Sequence, residues 1–171
     1  ILPHLNDNAR LLEVGCSSGF MLYPLEKMGN YCVGIEPSGV FSDFVKNNNL
    51  TIFNSIEHLL ENKPKIKFDL IMHFFVLEHI SDPLSFLLDQ LDLLEPNGKI
   101  IFEIPNAADP LYSVYDIESF ERFYWSMAHH WYFNYKSLKF LLDKLGYRFE
   151  IQLEQRYDLS NHMVWAKDGR P

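Results

Sequence analysis

The chain has 171 residues, of which 47% are hydrophobic and 22% charged, and a formal net charge of −8; that is the composition of a globular domain able to bury one sizeable core. The acidic balance and the lack of any Lys/Arg cluster argue against a duplex nucleic acid or an anionic membrane surface as partner, because both need a positive face. No apolar run approaches the roughly 20 residues of a membrane span, so small-molecule chemistry is the better expectation.

Apolar runs then alternate with stretches of helical period, the signature of βα units and a mainly parallel sheet. Residues 10–15 read as the first strand. Met21, Leu22, Leu25 and Met28 form one helical stripe, which Gly29-Asn30 ends. A second strand is predicted over 31–36, followed by Ser38 as the N-cap of a helix with Val40, Phe41, Phe44 and Val45 on its inner face. Residues 51–53 predict a short third strand, 56–60 a short helix, and 68–75 an almost continuously apolar fourth strand. Asp82 as N-cap, Pro83 at the first helical position and Leu84, Leu87, Leu88, Leu91 and Leu94 at spacings of three and four predict a core-packing helix. Glu95-Pro96-Asn97-Gly98 turns the chain into a fifth strand, 99–104, which Pro105 ends. Ser137 is expected to cap a further helix carrying Leu138, Leu141, Leu142 and Leu145, closed by Gly146. Tyr147, Phe149, Ile151 and Leu153 then alternate with polar residues, predicting one strand of an edge hairpin with 162–166 as its partner.

The expected fold class is therefore α/β: a Rossmann-like doubly wound sheet, mostly parallel, with a C-terminal antiparallel β-hairpin, residues 1–171 forming one domain. Cys16 and Cys32 fall in parallel-sheet surroundings where reduced thiols are usual, which points to the cytoplasm. Ile1 opens the chain without a methionine, and the expectation is a segment of something longer. Residues 105–133 resist the βα scheme. They hold nine aromatics, and a connection this long is expected to be a lid or substrate-binding element, though most of its rings are expected to pack a subdomain.

Chemistry is expected at the carboxyl ends of the strands, near the point where strand order reverses. Gly15 and Gly19 allow close backbone approach there, but Ser17 stands where the dinucleotide fingerprint G-x-G-x-x-G wants its middle glycine. A tight turn without ligand remains an alternative. Glu36, about 20 residues after the turn, is placed to accept both hydroxyls of a ribose, which points to a nucleoside without choosing one. Glu13 stands inside an otherwise apolar strand, where a carboxylate is costly without a partner; an ammonium group would supply one.

With E-V-G-C-S-S-G, V-G-I-E-P-S, V-L-E-H-I-S-D-P and L-E-P-N-G-K-I in this order and at natural spacing, the chain resembles the class I S-adenosylmethionine-dependent methyltransferases over residues 10 to 166. The resemblance implies S-adenosylmethionine as cofactor and S-adenosylhomocysteine as product. It implies that Glu13 orients the methionine part, with Gly15, Cys16 and Gly19 against it. Glu36, with Pro37 beside it, would hold the ribose, Asn54, Ser55 and Ile56 would flank the adenine, and His73 and Phe74 would lie near the methionine moiety. The family commonly has glycine where Ser17 stands. Pro105-Asn106, then H-W-Y-F-N-Y-K-S-L-K-F-L-L-D-K-L-G-Y and R-Y-D-L-S-N-H-M-V-W, look like a bacterial branch that methylates sugars and other small molecules. In its sugar C-methyltransferases a histidine four residues before an asparagine or serine serves near the acceptor; His130, four before Asn134, matches, and His129 stands where an acid often precedes it.

Methyl transfer from a sulfonium is an in-line displacement, and a sugar hydroxyl needs a base. Histidine suits that task near neutral pH. His130 is the first candidate and His79 the second, His79 also reading as a structural histidine held by Glu78 or Asp82. His129, Trp131, Tyr115, Asn106 and His162 are expected to contact the acceptor, a small molecule and by resemblance a carbohydrate. No metal site is expected, because no His/Cys/Asp cluster has a ligand spacing of the known kinds. Two other readings share these features: a nicotinamide-dependent oxidoreductase, disfavoured by Ser17, Glu13 and the motifs after the fourth and fifth strands, and a non-catalytic S-adenosylmethionine-binding module.

Overall fold

The computed structural model describes residues 5, 8–39, 42–155 and 158–170. Strands and helices alternate as β1 (Arg10–Val14), α1 (Leu22–Lys27), β2 (Tyr31–Ile35), α2 (Ser42–Asn47), β3 (Ile52–Phe53), α3 (Ile56–Asn62), β4 (Phe68–Phe74), α4 (Pro83–Leu91) and β5 (Leu94–Glu103). They are followed by α5 (Pro110–Ser113), α6 (Glu118–Tyr124), α7 (Tyr135–Asp143) and α8 (Leu159–Asp168). The chain divides into two compact units, one of Ile1–Leu77 and Ser85–Glu103, the other of Glu78–Leu84 and Ile104–Pro171. Among the described residues, no helix is long and apolar enough to cross a membrane.

In the first unit the five strands are all parallel, in the order β3-β2-β1-β4-β5. Strand order therefore reverses beside β1, as the doubly wound expectation requires. The two-residue period of the strands sorts their apolar side chains into two layers. Leu11, Leu70 and Met72 pack with Leu22 and Leu25 of α1. Leu12, Val14, Val33, Ile35 and Ile71 pack with Leu59 of α3 and Phe86 of α4. Both faces of the sheet are thus covered, which is why β1 and β4 read as nearly continuous apolar runs.

Gly34, paired with Glu13 across β1 and β2, has no room for a side chain. A Cβ there would stand 2.4 Å from Sγ of Cys16 and 2.9 Å from Cδ1 of Leu22. Gly34→Ala is expected to destabilise the chain by about 1–3 kcal/mol, the usual cost of overpacking, measured as a lower denaturant midpoint at unchanged slope.

His73 of β4 is fully buried, stacked on Phe102 at 4.8 Å and edge-on to Phe86 at 5.4 Å. Neither ring nitrogen has a hydrogen-bond partner among the described residues, and burial lowers its pKa to about 3. The unfolded chain binds this proton near pH 6.5 and the folded chain does not, so stability is lost as pH falls from about 6.5 towards 3. His73→Phe is expected to flatten that acid limb while changing neutral stability little; an unchanged acid limb would show that another group causes it.

Several boundaries differ from expectation. α4 ends at Leu91, and Leu94 instead opens β5 opposite Phe68. The Glu95–Gly98 turn is looped out within the strand, since the ladder steps from Phe68↔Leu94 to Leu70↔Lys99. Asn97 takes φ 70° there, and a Cβ on Gly98 would lie 3.0 Å from the Phe68 carbonyl. The described part of α2 starts at Ser42, and the Ser38 N–H donates to Glu36; the start of the helix with Val40 and Phe41, and with it the cap expected at Ser38, lies outside the described residues. α7 is capped by Asn134, which accepts the Ser137 N–H, while Ser137 at the third helical position accepts the Asn134 N–H and completes a capping box.

The expected C-terminal hairpin is not formed by the described residues. Positions 162–166 lie inside α8, which Asp158 caps by accepting the Asn161 N–H and Gly169 ends at φ 66°. Its helical period buries His162 and Trp165 three residues apart, and Trp165 packs on Phe120 of α6 and Leu111 of α5. Without that partner the alternating residues 147–153 have no strand to pair with, and none is assigned to them.

Candidate functional site

After Val14 the backbone turns through Gly15 at φ 74°, Ser17 at φ 51° and Gly19 at φ 75°. The N–H groups of Gly15 and Cys16 both donate to the Ile35 carbonyl, at 2.8 and 3.1 Å, which ties the turn to the end of β2. A Cβ on Gly15 would meet Cγ2 of Val76 at 2.5 Å, so this position needs glycine for space as well as for its φ. Ser17 occupies the left-handed region that glycine enters most readily, which accounts for a glycine being expected there. Its backbone is held by a local acceptor: the Ser17 N–H donates to Oε2 of Glu36 at 2.8 Å.

Glu36 sits just past β2 and braces two loops at once, because its Oε1 accepts the Ser38 N–H at 2.9 Å. Partial burial pushes its pKa up, but hydrogen bonds from the Ser38 hydroxyl and from the N–H groups of Ser38 and Ser17 outweigh that and hold it below the ordinary carboxylate value. The group is anionic at neutral pH and retains acceptor capacity beyond these bonds. Pro37 beside it is exposed. Cys16 is buried, and burial first, then the Glu13 and Glu36 charges, push its thiol up to about 12, so it stays protonated and acts as an apolar wall.

Glu13, on β1, is 6% exposed, and its Oε2 has no hydrogen-bond partner among the described residues. Burial raises its pKa from 4.5 to about 7. The folded chain therefore binds more protons than the unfolded chain between those values, and stability falls as pH rises through the window and is level above it. Glu13→Gln is expected to raise the unfolding midpoint of the ligand-free chain near pH 8, by up to the order of 3 kcal/mol, and to leave it almost unchanged near pH 4. An equal effect at both pH values would contradict burial as the cause. A cationic ligand group beside this carboxylate reverses the shift.

Beyond β3, Asn54 is exposed and Ser55 caps α3 by accepting the His58 N–H at 3.1 Å, with Ile56 opening the helix. At the end of β4, Phe74 is half-buried and Phe75 takes φ 56°, an uncommon conformation for a bulky side chain. His73 points into the packed layer described above.

The second unit holds the other residues singled out in the sequence, in two groups. His79 and His129 stand edge to face with centroids 4.6 Å apart, and Nδ1 of His79 lies 2.9 Å from the Ala128 carbonyl. The segments carrying them are joined by backbone: the N–H groups of His130 and Trp131 donate to the Glu78 carbonyl at 2.8 and 3.2 Å, and Nε1 of Trp131 donates to the Ser81 carbonyl at 3.3 Å. The side chains of His130 and Trp131 are exposed. Burial, with a smaller contribution from His79, lowers the pKa of His129. In the other group Tyr115 lies edge-on to His162 at 5.9 Å, and Nε2 of His162 is 2.8 Å from the Gln155 amide nitrogen. Asn106 pairs by backbone with Phe133, and its side chain accepts the Ala108 N–H at 3.0 Å.

Residues 1–151 match the family described as Methyltransferase domain. The chain belongs to that family. Among relatives of this methyltransferase-domain chain, the ubiquinone biosynthesis O-methyltransferase of Rhodopseudomonas palustris is 29% identical over 96 residues, 54% of this chain and 38% of that protein. The tRNA U34 carboxymethyltransferase of Shewanella woodyi is 35% identical over 112 residues, 60% of this chain and 34% of that protein. The chain thus spans little more than a third of the length of these curated relatives. A SAM-dependent methyltransferase from Archaeoglobus fulgidus superposes with a TM-score of 0.61 at 22% identity, covering 98% of this chain and 80% of that one, and shares its fold.

Two residues stand out in the structure that the sequence does not single out. Gly34 gives no signal of its own, because its crowding arises from Cys16 and α1 across the sheet. Glu78 reads in the sequence only as a companion of His79, yet it is 1% exposed and neither carboxylate oxygen has a partner among the described residues. Its pKa is raised by burial, offset in part by its own backbone N–H and by His79. A lone acid in the apolar run V-L-E-H-I is the same signal that singled out Glu13 in L-L-E-V-G.

Proposed function

We propose that this chain transfers the methyl group of S-adenosylmethionine to a hydroxyl of a small acceptor, a sugar or sugar-nucleotide, releasing S-adenosylhomocysteine. The observation that carries the cofactor reading is Glu13, a buried carboxylate at the foot of the glycine turn whose Oε2 has no hydrogen-bond partner among the described residues. An ammonium group satisfies it, and the methionine part of the cofactor brings one. Glu36 then accepts the ribose hydroxyls, Gly15, Cys16 and Gly19 give the backbone surface of the turn, and Pro37, Asn54, Ser55 and Ile56 flank the adenine. Phe74 backs the methionine end from β4, whereas His73, which the sequence also pointed to there, is fully buried in the packed layer against Phe102 and Phe86 and faces away. A nicotinamide cofactor would use the turn and Glu36 equally well but leaves Glu13 unexplained.

In this reading residues 1–171 act as one methyltransferase domain, and 105–133 serve the acceptor through Asn106, Tyr115, His129 and Trp131, with His162 beside Tyr115. Displacement at a sulfonium needs little covalent help from protein. The chief contributions are holding the hydroxyl in line with the methyl group and removing its proton. His130 takes the proton, with His79 next in order. The O-methyltransferase relatives support oxygen as the accepting atom; the carbohydrate rests on the resemblance of the later motifs. The test is S-adenosylhomocysteine release against sugar nucleotides, phenols and tRNA in parallel. Turnover with a sugar nucleotide is expected, whereas turnover confined to phenols or tRNA would overturn the carbohydrate assignment.

A further inference from the structure

We propose that Glu78, His79 and His129 form a binding site for a divalent transition-metal ion of the zinc class. Each offers one ligand atom, and these atoms lie within 4.8 Å of one another. Bonds of about 2.0–2.2 Å from zinc to imidazole nitrogen and carboxylate oxygen put tetrahedral ligands roughly 3.4 Å apart, so side-chain adjustment alone closes the set. The three residues are invisible as a set in the sequence, because Glu78-His79 and His129 are separated by some 50 positions.

Three observations converge on this point. Glu78 is almost completely buried with both oxygens unpartnered among the described residues, a costly state for a carboxylate unless something cationic satisfies it. Nδ1 of His129 is likewise buried and unpartnered. The contact of His79 Nδ1 with the Ala128 carbonyl fixes a tautomer, since a carbonyl only accepts. Nδ1 therefore carries the proton and Nε2 presents its lone pair, the backing that metal-bound histidines show. The two backbone bonds to the Glu78 carbonyl and the Trp131–Ser81 bond hold the ligand-bearing segments together before any ion arrives. Two imidazoles and one carboxylate suit zinc, cobalt or nickel rather than magnesium or calcium, which favour all-oxygen sets. Three protein ligands leave a position open for water or an oxygen donor.

The test uses the full, untagged chain stripped with a chelator, titrated with Co2+ and followed by visible absorption, then with Zn2+ by calorimetry. Metal uptake is read directly, so the outcome is independent of methyl transfer. A single Co2+ with visible d–d bands is expected, displaced by Zn2+. Glu78→Gln and His129→Gln are each expected to weaken Zn2+ binding by more than the roughly 10–100-fold that follows loss of an outer-shell partner, while His58→Gln, on the other unit, leaves it unchanged. Circular dichroism checks the fold of each variant, and His129→Gln, at a partly exposed position, decides the matter if Glu78→Gln does not fold. No stoichiometric uptake by the stripped chain, or unchanged affinity in folded His129→Gln, overturns the site.

Discussion

Glu36→Ala is expected to weaken S-adenosylhomocysteine binding by roughly a hundredfold or more in calorimetry. Two ribose hydroxyls donating to a carboxylate contribute about 1.5–3 kcal/mol each, and each 1.4 kcal/mol is about a factor of ten. The substitution also releases the N–H groups of Ser17 and Ser38, which Glu36 holds at 2.8 and 2.9 Å. Ser17 is then left at φ 51° without its acceptor, so the turn loses its shape as well as the ligand its partner. Glu36→Gln keeps one acceptor oxygen for one of these N–H groups and is expected to fall between wild type and Ala. Wild-type affinity in folded Glu36→Ala would mean that the ligand does not use this carboxylate.

The second large effect is on turnover. With an acceptor found, His130→Ala is expected to lower kcat by about 10²- to 10⁴-fold, the usual contribution of a positioned general base, while S-adenosylhomocysteine affinity stays at the wild-type value. Unchanged turnover in His130→Ala would remove it as the base and leave His79, next in order, to be tested in the metal-free chain.

What the sequence made legible follows from how local each signal is. β1, β2 and β4 are buried on both faces, and their nearly continuous apolar runs mark them without any knowledge of their neighbours. Pro83 at the start of α4 and the residues of the glycine turn carry their structure in their own chemistry. Glu13 was legible because an acid in an apolar strand demands an explanation. The C-terminal segment was not, because its alternation of Tyr147, Phe149, Ile151 and Leu153 is only half of a hairpin; the other half went to α8, whose Asp158 and Gly169 caps and Trp165 contact with Phe120 outweigh it. Leu94 continued the helical spacing of α4, yet the looped-out turn at Asn97 and Gly98 takes it into β5. The Glu78, His79 and His129 cluster depends on backbone bonds between segments far apart in the chain, which no spacing rule reaches.

Whether the Gly15 turn, Glu13 and Glu36 hold a sulfonium nucleoside is tested most directly by titrating the wild-type chain with S-adenosylhomocysteine and, in parallel, with NAD. Saturable binding of S-adenosylhomocysteine at one site, strengthening as pH rises through about 7 where Glu13 loses its proton, and no binding of NAD is the expected result. A folded sample that gives no heat with S-adenosylhomocysteine, or that binds NAD in preference, would contradict it.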